Sequence, residues 1–207
     1  MIVTVEARHG KDVPSLSQAD FMAYQRNERL QVTDAVPLRG EHADLELFIL
    51  LDDSSGLSLG SQLGVLRDFI KAEPATTAIG VGYMRNGTVE MVQNVTTDHN
   101  HAAQTLRLPL GSFAVMASPY LSLSDLIKRW PASSARREVL LVTSGADPLG
   151  GMGPISPYLD AASEQAQRYG IVVYAIYTPG AGHTGHSFWR INWGQNHLAQ
   201  ICEETGG

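Results

Sequence analysis

Apolar and polar positions along the chain divide it into alternating strands and helices. The clearest strand signal is the sequence LELFILL at residues 45–51, a mostly apolar run that ends at two carboxylates. Such a run, bounded by polar residues, is typical of a parallel strand buried on both faces. Residues 57–73 then repeat apolar side chains at helical spacing, which predicts a helix with one buried face: Leu59, Leu63, Leu66 and Ile70.

The same alternation continues to the end of the chain. Asn86-Gly87 between two apolar runs, at residues 77–84 and 88–95, predicts a β-hairpin. Further strands are predicted at residues 138–143 and 171–177, and further helices at 98–106, 118–130, 157–169 and 196–204. A polar, glycine-rich loop is expected over residues 179–194. This order predicts a doubly wound α/β fold, with a mostly parallel sheet and one antiparallel edge strand.

Residues 1–40 have a different pattern and are expected to form a small β-rich lead-in segment. Residues 2–7 are β-branched or alternating, residues 9–12 read as a turn, and a second hairpin is expected around Arg26-Asn27-Glu28. Residues 41–207 are predicted to form the main domain, and a chain of 207 residues is long enough for both.

Composition and charge exclude several classes of partner. The formal net charge is −6 and the basic residues are scattered, apart from Arg136-Arg137, so neither nucleic acid nor an anionic membrane surface is an expected partner. No apolar stretch reaches the length of a membrane span, and no signal peptide is visible. The single Cys202 excludes an internal disulfide.

The candidate chemistry lies where the first buried strand ends. Asp52, Asp53, Ser54 and Ser55 follow that strand directly, and ligands of open α/β sheets bind beyond the carboxyl ends of the strands. Carboxylates and hydroxyls are hard oxygen donors of the kind that magnesium, calcium and manganese prefer. The same residue types also favour the N-terminus of the helix that follows.

With these elements in place, residues 45–207 resemble a von Willebrand factor type A (VWA) domain. The hallmark of that family is a metal-ion-dependent adhesion site, with Asp-x-Ser-x-Ser after the first strand, a Thr in a later loop and an Asp after the fourth strand. Residues 3–31 are similar to the lead-in of a bacterial secreted subfamily. The resemblance implies a non-enzymatic, adhesion-type protein-binding module that is secreted or periplasmic.

The resemblance also implies a degenerate metal site. Asp52 and Ser54 match the motif, and either Ser118 or Ser122 is the nearest equivalent of the loop Thr. Gly56 replaces the second Ser, and Ser144 replaces the later Asp. We therefore expect no cofactor, or weakly bound Mg²⁺ or Mn²⁺. Contacts with a protein ligand are expected from the residues around this site: Asp53, Ser55, Gly56, Ser144 and Asp147.

The last residues carry a further expectation. The ending ETGG is similar to the turn that leads into the family's last strand, so we expect the chain to stop before that strand and its helix. The strand at residues 171–177 would then lie at the sheet edge, where unpaired backbone groups favour self-association.

Other interpretations stay open at this stage. The chain could be a phosphoryl-transfer or metal-dependent enzyme that uses Asp52 or Asp53, or a structural module of a larger secreted protein. Zinc binding by His183, His186 and His197 is a minor alternative, because a structural zinc site needs four ligands. The aromatic stretch at residues 188–193 either packs over the sheet or anchors a partner.

Overall fold

The computed structural model describes most of the chain as two compact units, one within Val3–Ala43 and one within Asp44–Gly207. The described residues are 3, 5, 7, 9, 13–37, 44–55, 57–111, 116–151, 153–179 and 187–207, with the backbone alone at 57 and 58. Gly56, His183 and His186, which the sequence analysis singled out, lie outside these residues.

The smaller unit contains a short 3-10 helix, Gln18–Asp20, and a hairpin of strands β1 (Ala23–Gln25) and β2 (Glu28–Leu30). The hairpin predicted around Arg26-Asn27-Glu28 is present, and both turn residues have positive φ. The strand and turn predicted at 2–7 and 9–12 fall largely outside the described residues. Within them, Val3, Val5 and Ala7 are not in a strand.

The larger unit is built on a five-stranded sheet in the order β5-β4-β3-β6-β7. The strands are β3 (Leu45–Asp52), β4 (Thr77–Arg85), β5 (Thr88–Thr96), β6 (Arg136–Thr143) and β7 (Ile171–Tyr177). All neighbours are parallel except β4 and β5, which form the hairpin predicted at Asn86-Gly87. The predicted doubly wound α/β fold with an antiparallel edge is confirmed.

Helices cover both faces of this sheet. They are α1 (Leu57–Ala72), α2 (His99–Gln104), α3 (Pro119–Arg129), α4 (Pro157–Arg168) and α5 (Phe188–Thr205). Alternate residues of β3 belong to two apolar cores, one on each face of the sheet. Ile49 and the other odd-numbered apolar residues of β3 pack with α1 and α2, whereas Phe48 and Leu50 pack with α3, α4 and α5. This two-sided burial explains the continuous apolar run of β3.

The last helix begins earlier than its sequence pattern predicted. α5 starts at Phe188, so residues 188–194 are helical and not part of the predicted loop. The buried face of α5 is Gly194, His197, Leu198 and Ile201. A glycine and a histidine on this face weaken the apolar periodicity by which a helix is recognised.

Strand β7 lies at the sheet edge, as the sequence analysis expected, but α5 binds part of that edge. The Val173 N–H donates to Thr205 Oγ1 at 3.1 Å, and the Ala175 N–H forms a hydrogen bond to the Cys202 sulfur. Burial raises the pKa of the Cys202 thiol. Because α5 accepts the hydrogen bonds of these two N–H groups, fewer backbone groups of β7 are free to pair with another strand than the sequence suggested. Self-association stays a prediction.

Candidate functional site

Asp52 joins the carboxyl ends of the two central strands. It is the last residue of β3, and its side chain is buried. Asp52 Oδ1 accepts hydrogen bonds from the Ser54 N–H at 2.9 Å and the Ser54 hydroxyl at 2.6 Å. Asp52 Oδ2 accepts from the Thr143 hydroxyl, at the end of β6, at 2.8 Å. One carboxyl group therefore holds the loop after β3 against the end of β6.

Burial dominates the electrostatics of Asp52. It raises the pKa of this carboxyl, while the hydrogen bonds from Ser54 and Thr143 act in the opposite direction and the charge of Asp53 adds to the rise. No ion pair is recorded for Asp52 within the described residues, so its charge is balanced by neutral hydrogen-bond donors. A buried charge that lacks a counter-charge is costly.

Asp53 points to the opposite side of the sheet and forms a closed ion pair. Its two carboxylate oxygens accept from Arg107 Nη1 at 2.6 Å and Nη2 at 3.0 Å, and Oδ1 also accepts from the Leu110 N–H at 3.0 Å. The Asp53 side chain is fully buried, and its hydrogen bonds raise the pKa of Arg107. Partner binding through this carboxylate, which the sequence analysis predicted, would first have to open the ion pair.

Tyr83 completes the cluster around Arg107. The Arg107 guanidinium lies 3.8 Å above the centre of the Tyr83 ring. The Tyr83 hydroxyl donates to the Arg107 carbonyl at 2.8 Å and accepts from the Arg107 N–H at 2.7 Å. Asp53 thus anchors the segment that follows α2 and has a structural role.

The hydroxyls predicted to line the site lie in different surroundings. Ser118, the N-cap residue of α3, is buried, and its Oγ has no hydrogen-bond partner among the described residues. Ser55 is buried, and its N–H donates to the Asp52 carbonyl at 3.1 Å. The Ser144 hydroxyl accepts a long hydrogen bond from the Ala146 N–H at 3.4 Å.

Asp147 lies in a shallow pocket between the loop after β6 and the first half of α5. Its Oδ1 accepts from the backbone N–H groups of Leu149 at 3.2 Å and Gly150 at 3.0 Å. Its Oδ2 is buried and has no hydrogen-bond partner among the described residues. The pocket is lined by Gly145, Ala146, Asp147, Gly151, Gly153, Arg190, Trp193, Gly194 and His197.

Two glycines allow the loop and the helix to form this pocket. A Cβ atom on Gly145, which has φ of +71°, would lie 2.2 Å from the Gly194 carbonyl oxygen. A Cβ atom on Gly194 would lie 2.4 Å from the Ser144 carbonyl oxygen. Any side chain at these positions would separate the loop from α5, since real Cβ atoms do not approach other atoms so closely.

Aromatic side chains form an exposed group on the first turns of α5, next to the pocket. Phe188 and Trp189 are 72% and 64% exposed. Their rings are 5.7 Å apart in an edge-to-face arrangement, and the Trp189 ring is 6.2 Å from that of Trp193. Of the two alternatives for this stretch, packing over the sheet does not describe Phe188 and Trp189, which face solvent.

The residues around Asp52 fit a divalent cation poorly. Both Asp52 oxygens already accept hydrogen bonds from Ser54 and Thr143, and Ser144 occupies the position where the family motif has its second carboxylate. Among the described residues, no group of three or more His, Cys, Asp or Glu side chains could hold a metal ion. The Ser118 Oγ is one further oxygen donor, but magnesium needs a nearly octahedral oxygen shell.

The histidines do not converge on a zinc site in the described part of the chain. His197 is buried under Tyr120, and its Nε2 lies 3.2 Å from the Pro154 carbonyl oxygen. His99 Nε2 lies 2.7 Å from the Thr77 carbonyl oxygen.

Burial raises the pKa of the Tyr120 hydroxyl, and the charge of Asp147 raises it further.

The sequence analysis did not identify the roles of Arg107, Gly194 and Trp193. Arg107 is 54 positions from Asp53, and its single charge in a mixed segment gave no signal. Gly194 was assigned to a loop, where glycine is unremarkable. Trp193 was noticed, but its helical spacing from Trp189 was not used.

Two sequence comparisons found nothing. No family model matches the chain, and no curated protein matches it.

Solved structures nevertheless share its architecture. The conserved hypothetical protein BatB from Bacteroides thetaiotaomicron aligns with a TM-score of 0.57 at 15% identity, over 79% of this chain and 87% of that one. An aerotolerance-related membrane protein from Bacteroides fragilis aligns with a TM-score of 0.55 at 16% identity, over 79% and 89%. The VWA domain of SpRpn10 aligns with a TM-score of 0.52 at 9% identity, over 76% and 81%.

The class of the protein follows from sheet order and these alignments together. A mostly parallel sheet with one antiparallel edge and helices on both faces is a doubly wound α/β fold. Within that class, the chain has a VWA-like fold, as the sequence resemblance implied. No helix in the described part of the chain is long and apolar enough to cross a membrane.

Proposed function

We propose that this chain is a non-enzymatic protein-binding module whose contact surface is the α5 side of the sheet's carboxyl end. The observation that supports this is the pair of exposed rings of Phe188 and Trp189, which lie with the half-buried Trp193 beside the pocket of Asp147. Large exposed aromatic rings are costly in water, and tryptophan is enriched among the residues that dominate binding energy. Ser144 and Asp147 belong to this surface.

Phosphoryl transfer, the enzymatic alternative, finds little support around Asp52 and Asp53. Phosphoryl-transfer sites stabilise the transferring group with cations. The Arg107 charge is used by Asp53, and no cation is recorded beside Asp52 within the described residues. Asp53 and Asp52 therefore serve the fold in this proposal, and any Mg²⁺ or Mn²⁺ binds weakly.

A structural module that packs against a neighbouring domain is the second candidate, and one observation favours it. Val65 and Phe69 on α1 are exposed, as are Tyr174 and Ile176 on β7. Tyr174 and Ile176 pair in register with Leu140 and Val142, so they lie on the sheet face that α1 covers elsewhere. This apolar face could be buried by another domain.

Location is part of the proposal. One similar structure is described as an aerotolerance-related membrane protein, and the lead-in resembles that of secreted bacterial proteins. We place this module outside the cytoplasm, secreted or periplasmic, where a protein ligand would meet it.

Site-specific photo-crosslinking separates the two contact surfaces. A photoreactive amino acid replaces Trp189 in one variant and Val65 in another, since both side chains are about equally exposed. We expect a protein crosslinked at position 189 and none at position 65, with extract from the native source. Crosslinks at position 65 alone would favour the structural module, and crosslinks at neither position would contradict both.

A further inference from the structure

We infer that the aromatic surface of α5, formed by Phe188, Trp189 and Trp193, binds a proline-rich segment of the protein ligand in the polyproline II (PPII) conformation. This inference rests on the proposed function and names the kind of segment that the surface recognises.

The accessible part of this surface is a continuous aromatic platform. The Phe188 and Trp189 rings are 5.7 Å apart, and the Trp189 and Trp193 rings are 6.2 Å apart with their planes tilted by 32°. Rings at these separations pack against one another, so a ligand lies across them and does not insert a side chain between them. The flat, apolar ring of proline suits such a platform, and proline-rich segments are recognised by aromatic surfaces.

Open space lies next to the platform. Trp193 lines the Asp147 pocket together with Gly151 and Gly153, and a Cβ atom on either glycine would meet no other atom within 4 Å. An extended chain therefore has room beside the Trp193 ring, along the loop that faces α5.

The free hydrogen-bonding groups of this surface are donors. The indole N–H groups of Trp189 and Trp193 and the guanidinium of Arg190 form no recorded hydrogen bond among the described residues. The nearby acceptors are engaged or buried, since Asn192 Oδ1 already accepts a hydrogen bond and Asp147 is only 3% exposed. A ligand that covers the platform must supply acceptors, because a donor buried without a partner costs free energy.

A PPII segment has the matching hydrogen-bonding groups. Proline has no N–H, and the carbonyls of a PPII helix form no internal hydrogen bonds, so they are free to accept. An α-helix has free carbonyls only in its last turn, and a β-strand brings as many N–H donors as acceptors. A PPII segment is also preformed, so it loses little conformational entropy on binding.

The test follows the indole N–H signals by NMR during titration with acetylated, amidated decaproline made of L-proline. The same peptide made of D-proline is the matched control, because it has the same composition and the opposite helical hand. Trp189 and Trp193 report on the platform. Trp130 is an internal control, because its indole donates to Glu46 Oε2 and is buried.

We expect the Trp189 and Trp193 signals to move with the L-proline peptide and the Trp130 signal to stay. The D-proline peptide should bind at least fivefold more weakly. Trp189→Phe keeps a ring but removes the donor, and should weaken binding roughly fivefold, as the loss of one hydrogen bond would. Trp189→Ala should weaken it at least tenfold. Phe69→Ala, at an exposed aromatic residue of α1, should change it less than twofold.

A second pair of variants tests the open space beside the rings. Gly153→Leu places a side chain next to Trp193 and should weaken the L-proline peptide at least fivefold. Gly64→Leu, at a position of α1 where a Cβ atom also meets no other atom within 4 Å, should leave binding unchanged.

Three results would overturn the inference. They are no movement of the Trp189 and Trp193 signals with the L-proline peptide, equal binding of the L-proline and D-proline peptides, and no loss of binding in Trp189→Ala or Gly153→Leu. If a protein still crosslinks at position 189 after such a result, the proposed function stands and only the proline-rich segment is wrong. If nothing crosslinks there, the proposed function itself fails.

Discussion

Asp53 and Asp147 are both buried carboxylates at the carboxyl end of the same sheet, yet their surroundings differ. Asp53 is closed by two hydrogen bonds from Arg107 and one from a backbone N–H. Asp147 keeps one buried oxygen without a partner among the described residues, and exposed aromatic rings lie beside it. The first carboxylate is fully hydrogen-bonded within the chain, and the second retains an acceptor that no described residue uses.

The difference teaches which polar groups of a fold indicate function. Burying a charge is tolerated when it is paired and hydrogen-bonded, so a fully satisfied carboxylate is explained by stability alone. An unsatisfied buried oxygen costs free energy, and a binding partner that supplies a donor recovers it. On this criterion we propose a structural role for the α1 side of the carboxyl end and a contact role for the α5 side.

Replacing the two carboxylates should give the largest contrast. Asp53→Asn breaks the ion pair and leaves Arg107 without its main partner, and we expect a loss of roughly 3 kcal/mol in the free energy of unfolding. Asp147→Asn should cost less than about 1 kcal/mol, because the amide oxygen still accepts from the two backbone N–H groups. Urea denaturation of both variants measures the difference.

The exposed ion pair of Glu164 and Arg168 provides the control for this contrast. Both side chains are largely in solvent, so Glu164→Gln should change stability by less than about 0.5 kcal/mol. Equal losses in the free energy of unfolding for Asp53→Asn and Asp147→Asn would contradict the distinction between the fully paired carboxylate of Asp53 and the partly paired one of Asp147.

The contact between α5 and the loop after β6 should be almost as sensitive. Gly194→Ala places a Cβ 2.4 Å from the Ser144 carbonyl oxygen, and we expect a loss of about 2 kcal/mol from overpacking. Gly64→Ala, in α1, meets no atom within 4 Å and should stabilise the chain by about 0.5–1 kcal/mol through helix propensity. Thermal melts that show Gly194→Ala to be neutral would mean that the loop is not held against the helix.

Asp52 should make stability fall as pH rises. Burial raises the pKa of Asp52 in the folded chain, so the folded state binds more protons than the unfolded state between the two pKa values. Stability from this group is therefore greatest below the unfolded pKa and is lost as pH rises through the folded pKa. Each unit of difference corresponds to about 1.4 kcal/mol.

Asp52→Asn removes this titration while keeping an acceptor for Ser54. Denaturant unfolding in the presence of a chelator, from acid to neutral pH, should show the variant gaining on the wild type as pH increases. A gain in the opposite direction would show that hydrogen bonds from Ser54 and Thr143 outweigh burial.

Added metal should have the smallest effect. Because Ser144 replaces a carboxylate and both Asp52 oxygens are already engaged, millimolar Mg²⁺ or Mn²⁺ should raise the melting temperature by less than about 1.5 °C. A larger rise that Asp52→Ala abolishes would show that a metal site forms.

The fold could be predicted from the sequence because the residues of most strands and helices favour the element that they form. The run before Asp52 and the Asn86-Gly87 turn each specify their element through neighbouring residues. α5 could not be bounded, because Gly194 and His197 on its buried face interrupt the apolar pattern.

The sequence placed candidate residues at the carboxyl end of the sheet, but it did not give the contacts of each residue. The end of β3 identified the carboxyl end of the sheet, yet the sequence does not show that Asp52 and Asp53 point to opposite faces and bind Thr143 and Arg107. Those contacts join residues 91 and 54 positions apart, and only the tertiary fold brings them together.

The central claim is that the α5 side of the carboxyl end is the contact surface, and a binding measurement tests it most directly. Once a crosslinked protein is identified, calorimetry should be done with the wild type, Trp189→Ala and Val65→Ala. We predict that Trp189→Ala weakens binding by roughly 2 kcal/mol, about thirtyfold, as a hot-spot residue would. Val65→Ala should change it less than about twofold, and the reverse ranking would contradict the account.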